Sequence, residues 1–345
     1  MKTKWGVIGS AGIARRRTIP EGIVAAENAE FTAVYDINQE ANAEIAAEFG
    51  AVPCKSVEEL LALELDVVYV ATPTWLHCDQ VNHIASTGKH VLCEKPLGMS
   101  VTECERMIED CAANNVKLGV GFMMRYHAHH QAALQMICDG GIGMPVFARA
   151  QLSCWYPPIP DAWRQSPQLG GGGSLMDLGG HCLDLLEMFM GPVGSVQCVT
   201  GNLVQSYASE DTAVALLEFE SGAKGVVDCL FNVPDASSLN RLELYGSQGS
   251  ILAEGTIGQL PGGSMTARLE ESDAGYAAQQ ERTGDGGMVI APPPVNMYCA
   301  EVEAFARAVQ DNTEPPISGK DGLRSQALLT ACYESARTGT RIKIQ

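Results

Sequence analysis

Lys95 stands in Glu94-Lys95-Pro96, directly after the apolar run Val91-Leu92-Cys93. An amine that ends a buried strand of an α/β domain faces the crevice where ligands collect. A second set of ionisable residues, Asp177, His181 and Asp184, is spaced by four and then three positions. On a helix these share one stripe, next to an apolar stripe of Leu178, Cys182, Leu185 and Phe189 that should enter the core. Hydride transfer from a secondary alcohol to nicotinamide requires a partner for the hydroxyl proton. An imidazole oriented by a carboxylate one turn away and helped by an ammonium group suits that task. The competing reading is structural: Ser174-x-x-Asp177 fits a capping box, and a helical histidine is often a hydrogen-bonded core residue.

Nucleotide binding is the other chemistry in view. Trp5-Gly6-Val7-Ile8 leads into Gly9-Ser10-Ala11-Gly12-Ile13-Ala14, which aligns as G-x-G-x-x-A with Ala11 where the close-approach glycine belongs. Such a turn rests the pyrophosphate on a helix N-terminus. Asp36 ends the next strand-like run and carries a carboxylate suited to ribose hydroxyls, whereas a 2′-phosphate there would meet like charge. NAD is favoured over NADP on that ground. Asp36 could instead cap the following helix. Thr72-Pro73 would line the same crevice, and Arg15-Arg16-Arg17 is either a solvated helix face or a contact for the pyrophosphate.

Other groups suggest less. His127, His129 and His130 alternate faces and have no cysteine or carboxylate at ligand spacing, so they read as surface or substrate-pocket residues and no metal site is expected. Trp155, Tyr156 and Trp163 could stack on a sugar face or sit in a core.

The elements that must position these groups follow from periodicity. Strand-like runs at 5–9, 31–36, 65–71, 90–93 and 117–121 alternate with helical ones at 40–49, 77–87 and 101–114, predicting a parallel sheet. Beyond Phe122 the runs 146–155, 196–204, 212–220, 223–231, 241–245 and 250–254 join through tight turns, with helices at 175–190, 300–310 and 322–338. The expected fold is α/β, an N-terminal Rossmann dinucleotide-binding domain (1–121) followed by an α+β domain (122–345) with a large, open, mostly antiparallel sheet. The Gly- and Pro-rich stretch 261–294 reads as loop.

Composition narrows the partners. With 41 acidic and 23 basic residues the net charge is −18, which would repel a phosphate backbone, so nucleic acid is not expected. The 12 cysteines show no Cys-x-x-Cys pair or regular spacing and read as reduced thiols. The opening Met1-Lys2-Thr3-Lys4 runs straight into a strand, and no apolar stretch approaches bilayer length, so a cytoplasmic protein without a membrane partner is expected.

Taken in order, Gly6-Val7-Ile8-Gly9-Ser10-Ala11-Gly12-Ile13-Ala14, Ala71-Thr72-Pro73 with His77, Gly88-Lys89-His90-Val91-Leu92-Cys93-Glu94-Lys95-Pro96, Trp163-Arg164, Gly171-Gly172-Gly173-Ser174-Leu175-Met176-Asp177 through His181, and Glu334-Ser335-Ala336-Arg337-Thr338-Gly339 resemble the Gfo/Idh/MocA family of sugar and cyclitol oxidoreductases. The resemblance covers nearly the whole chain. It implies a catalytic trio of Lys95, Asp177 and His181, with Arg125, Trp163 and Arg164 near the substrate or the nicotinamide ribose. It further implies that Gly9, Ser10, Ala11, Gly12, Ile13, Asp36, Thr72, Pro73, His77, Glu94, Lys95 and Arg164 hold NAD, and that the open sheet is buried in a homodimer or homotetramer. The implied reaction moves a hydride between nicotinamide and a secondary hydroxyl of a sugar, glycoside or cyclitol. An NAD-retaining glycosidase or lyase acting by transient sugar oxidation is the alternative, and a non-catalytic NAD-binding regulator a third reading. Loops 153–168 and 255–294 would set the substrate.

Overall fold

The computed structural model describes residues 2–270 and 287–344. The chain packs as two compact units, one of Met1–Met123, Ser166–Gly171 and Asn296–Ala327, the other of Met124–Gln165, Gly172–Val295 and Leu328–Gln345. This differs from a single cut near Phe122, because a late segment returns to the first unit.

The first unit is a parallel sheet of β1 (Thr3–Ile8), β2 (Ala29–Tyr35), β3 (Val52–Pro53), β4 (Val67–Val70), β5 (His90–Cys93) and β6 (Leu118–Val120) in the order β3-β2-β1-β4-β5-β6. Strand order reverses between β1 and β4, the position at which doubly wound sheets bind ligands. Val67, Val68, Tyr69 and Val70 are all fully buried, as a strand covered on both faces requires. Each such side chain contributes roughly 1.5–3 kcal/mol of burial. The returning Met297–Gln310 helix packs against the Ala14–Ile23 helix, and Phe305 meets Trp5 edge-on with ring centroids 6.0 Å apart. Phe305 also lies where a side chain on Gly119 would stand, at 2.6 Å. A contact this distant leaves no local trace in the sequence.

The second unit is built on a nine-stranded sheet of β7 (Pro145–Ser153), β8 (Val193–Gly201), β9 (Thr212–Phe219), β10 (Lys224–Leu230), β11 (Arg241–Gly246), β12 (Gly249–Glu254), β13 (Ser264–Leu269), β14 (Met288–Val289) and β15 (Ile342–Lys343). The order is β14-β13-β12-β11-β7-β10-β9-β8-β15, with β7 and β10 parallel and the other neighbours antiparallel. One face carries Ala148, Ala150, Ala215, Val227 and Cys229, all buried, and the Gly180–Met190 helix packs on β7 and β10. The alternate positions Val199 and Leu216 are 65% and 54% exposed.

The stretch 261–294 contains β13 and β14, whose flanking glycines mask the inward alternation of Met265 and Ala267, while residues 271–286 lie outside the described residues. The histidine cluster is not at the surface: His127 and His130 are fully buried and His129 nearly so, at the start of the Ala128–Cys138 helix. His127 caps that helix by accepting the His129 N–H, and its Nε2 lies 3.1 Å from the Gly262 carbonyl. His130 Nδ1 is 2.8 Å from the Met124 carbonyl and its Nε2 3.2 Å from Thr256 Oγ1, so burial leaves its ring nitrogens partnered. No helix among the described residues is long and apolar enough to cross a membrane.

Candidate active site

In the first unit the glycine turn closes directly on β4. Gly9 has φ 90°, and a Cβ there would stand 2.8 Å from the backbone of Ala71, so only glycine lets the end of β1 pass so close. Ser10 N–H donates to Asp36 Oδ2 at 2.8 Å and Asn38 N–H to Oδ1 at 2.9 Å. The Gln39–Phe49 helix is capped by Asn38, whose side chain accepts the Ala41 N–H at 3.1 Å. Asp36 is therefore a buried carboxylate clamped at the end of β2 rather than that helix's cap.

The turn fits a dinucleotide. Ser10 Oγ is buried without a hydrogen-bond partner among the described residues, and a Cβ on Gly12 would meet nothing within 4 Å. The Ala14–Ile23 helix that follows has a wide, π-type winding and no acidic residue in its first turn, so its amide end is uncompensated. Gly9, Ser10, Ala11, Gly12, Ile13 and Asp36 thus form a contiguous cradle in which NAD would be held. Arg15 pairs with Glu44 at 3.4 Å and Arg17 with Glu21, while Arg16 is exposed.

Around Lys95 the backbone is braced from two sides. Glu94 follows β5, and its carboxylate accepts the Tyr69 hydroxyl and, at 3.2 Å, the Lys95 N–H. Tyr69 is in turn 2.9 Å from Thr18 Oγ1 on the helix after the glycine turn. Burial first, and then Glu94, push the Tyr69 hydroxyl well above its usual range, so it remains a donor. Burial, and then the same carboxylate, hold Glu301 well above the carboxylate range. His77 is buried, with Nε2 2.9 Å from the Thr72 carbonyl and Nδ1 3.0 Å from that of Pro96, tying the Thr72-Pro73 loop to the Lys95-Pro96 loop. Thr72 Oγ1 bonds Gln80 Oε1 at 2.6 Å. Tyr69 and Thr18 were not singled out by the sequence, where they look like ordinary strand and helix residues.

In the second unit a π-type turn, Leu175–Gly179, runs into the Gly180–Met190 helix. Ser174 has helical dihedrals (φ −60°, ψ −34°) and makes no side-chain cap, so the capping box does not form. Leu178, Cys182, Leu185 and Phe189 are buried as the stripe requires, but His181 and Asp184 are also buried, at 6% and 4% exposure. Asp184 accepts a fork from Arg125, with Nε 3.0 Å from both oxygens and Nη2 2.6 Å from Oδ1. Arg125 is thereby fixed on the helix that carries His181.

Asp177 is half-buried, and its Oδ1 is 3.4 Å from Arg164 Nε. The Arg164 guanidinium lies 4.2 Å from the centroid of the Trp163 ring, and its charge partly offsets the burial that pushes the Tyr156 hydroxyl above its usual range. Carboxylate, guanidinium, phenol and indole face are thus gathered within one unit, a set able to take the hydroxyls and the apolar face of a polyol. Trp155 is 42% exposed, and Tyr156 packs on Phe231 with centroids 4.8 Å apart. Among the described residues no group of three or more His, Cys, Asp or Glu is arranged to hold a metal ion.

Comparison with known proteins bears on both units. Residues 3–122 match the model of an oxidoreductase family with an NAD-binding Rossmann fold, and residues 130–252 match the GFO/IDH/MocA C-terminal domain. The 1,5-anhydro-D-fructose reductase of Ensifer adhaerens is 30% identical over 99% of this chain and 98% of its own length. The D-xylose 1-dehydrogenase (NADP(+)) 2 of Haloferax volcanii is 30% identical over 99% of both chains. The crystal structure of the WlbA dehydrogenase from Bordetella pertussis in complex with NADH and UDP-GlcNAcA superposes with a TM-score of 0.84 at 26% identity, covering 100% of this chain and 98% of that one. An NAD-binding Rossmann sheet followed by the matching C-terminal domain, with a full-length relative at this identity, makes the chain a member of the GFO/IDH/MocA oxidoreductase family.

Proposed function

We propose that the protein is an NAD-dependent dehydrogenase that moves a hydride between nicotinamide and a secondary hydroxyl of a sugar, glycoside or cyclitol, with Lys95 and His181 as its proton-transfer pair. The observation that carries this reading is the position of Lys95: it follows β5 at the carboxyl end of a doubly wound sheet, on a loop braced by Glu94, Tyr69 and His77. The relatives named for reduction of 1,5-anhydro-D-fructose and oxidation of D-xylose support the substrate class. NAD, when bound, supplies the hydride acceptor. His181 takes the hydroxyl proton as the carbinol becomes a carbonyl, and the Lys95 ammonium stabilises the developing alkoxide. Asp177, one turn before His181 and paired with Arg164, orients substrate hydroxyls, with Trp163 stacked against Arg164 and Arg125 held by Asp184 on the helix of His181. Thr72, Pro73, His77 and Glu94 shape the nicotinamide side of the cofactor crevice.

The same proposal extends to assembly and location. Val199 and Leu216, exposed on the sheet's outer face with Val214, Val226 and Leu230 half-buried beside them, favour burial against a second copy of the chain. Twelve free thiols, most of them buried, suit a reducing cytoplasm. The test of the reaction is a panel of myo-inositol, D-xylose, D-glucose and 1,5-anhydro-D-fructose with NAD or NADH, followed by nicotinamide absorbance. Turnover on at least one member is expected. Release of product from a nitrophenyl glycoside with no net NADH would instead favour the redox-neutral reaction.

A further inference from the structure

The four consecutive glycines 170–173 precede the helix of His181, and two of them are explained by what presses on them. A Cβ on Gly172 would fall 1.8 Å from the Tyr333 hydroxyl oxygen, and one on Gly173 would fall 2.0 Å from the Glu210 carbonyl oxygen. The Glu210 carboxylate accepts the Gly173 N–H at 2.9 Å and the Leu175 N–H at 3.0 Å, and its own carbonyl accepts the Ser174 N–H at 3.0 Å. The Tyr333 hydroxyl donates to Glu210 Oε1 at 2.8 Å. The amides that open the turn leading to Asp177 and His181 are thus taken by one residue, Glu210, whose carboxylate is itself held by a phenol from a distant part of the same unit. Glu210 is 8% exposed and Ser174 makes no cap, so this anchor replaces the local one.

From this arrangement we infer that Glu210 and Tyr333 are positioning residues that fix the start of the helix on which Asp177 and His181 act. A buried carboxylate at a helix N-terminus is favoured by the helix dipole and shared amide bonds, and it holds the first turn against rotation. Without it the opening turn loses its charged acceptor, and side chains one and two turns on shift relative to the substrate. Misplacement of the order of 1 Å costs roughly a hundredfold in rate. The inference rests on the proposed roles of Asp177 and His181, and its test separates the two.

Glu210→Gln keeps one acceptor and loses the charge, Glu210→Ala loses both, and Tyr333→Phe keeps the ring and loses the hydroxyl. Each is assayed on the active panel member with the hydride donor of that direction, the substrate carbinol when NAD is the acceptor or NADH when a carbonyl is reduced, in protonated form and deuterated at the transferred position, alongside His181→Ala. The expected result is a kcat lowered roughly ten- to hundredfold in Glu210→Ala, less in Glu210→Gln and Tyr333→Phe, with NADH binding by fluorescence unchanged and a larger deuterium effect on kcat. A merely structural role lowers kcat through the inactive fraction and leaves the deuterium effect at its wild-type value, and that outcome overturns the inference. Wild-type kcat in Glu210→Ala and Tyr333→Phe overturns it as well, while loss of turnover in His181→Ala would then leave the proposed reaction standing. Full turnover in His181→Ala removes the reading on which it depends, and the inference with it. If Glu210→Ala does not fold, Tyr333→Phe decides alone.

Discussion

Among single residues, Asp36 makes the sharpest statement about the cofactor. Its two oxygens are held by the Ser10 and Asn38 amides, so the charge cannot swing away from a ligand at the end of β2. A 2′-phosphate brought there would meet a fixed carboxylate. Asp36→Ala should therefore raise the ratio of kcat/KM for NADP over NAD by at least about tenfold, the equivalent of about 1.4 kcal/mol. An unchanged ratio would show that the carboxylate does not select between the two. Tyr69 makes a different statement, because its hydroxyl bridges Thr18 and the Glu94 carboxylate that receives the Lys95 amide. Tyr69→Phe leaves the strand packed but removes one donor from the Glu94 carboxylate. Turnover should fall roughly tenfold with thermal stability lowered by only about 1 kcal/mol, the usual worth of one buried hydrogen bond. Lys95, Asp36 and the glycine turn were legible as candidates because their chemistry is local to a strand end. Tyr69 and Thr18 were not, since their value lies in a bond between segments 51 residues apart.

At the scale of elements, the alternation of short apolar runs and helices was enough to read the parallel sheet, because each β-α step is local. Hairpins were equally readable where a turn such as Gly246-Ser247-Gln248-Gly249 joins β11 to β12. The late strands β13 and β14 were hidden by surrounding glycines, and the glycine run before His181 pointed to a helix start without showing Glu210 and Tyr333, the residues that press on it. The Ala128–Cys138 helix was missed because its first residues are histidines, which carry no apolar period. Burial holds His130 down to about 3 from an ordinary value near 6.5. The unfolded chain then binds a proton that the folded chain does not, so stability falls as pH drops from about 6.5 towards 3. Each pH unit in that window costs up to about 1.4 kcal/mol from this residue. The thermal midpoint should decline steeply below pH 6, and less steeply in His130→Gln, whose midpoint at neutral pH is already lower. Parallel declines in the two proteins would remove His130 as the cause.

For the whole molecule, the nine-stranded sheet exposes Val199 and Leu216 on the face away from its helix, and a second copy is proposed to cover them. Light scattering should give a mass of at least two chains, and Leu216→Arg should shift it towards one, since burying an unpaired charge costs several kcal/mol. A wild-type mass of a single chain would set that assembly aside. The proton-transfer pair is tested by the turnover of Lys95→Met and His181→Ala on the active panel member. Each variant should bind NADH as the wild type does while kcat falls by about a hundredfold to ten-thousandfold. Wild-type kcat in both variants would contradict that pairing.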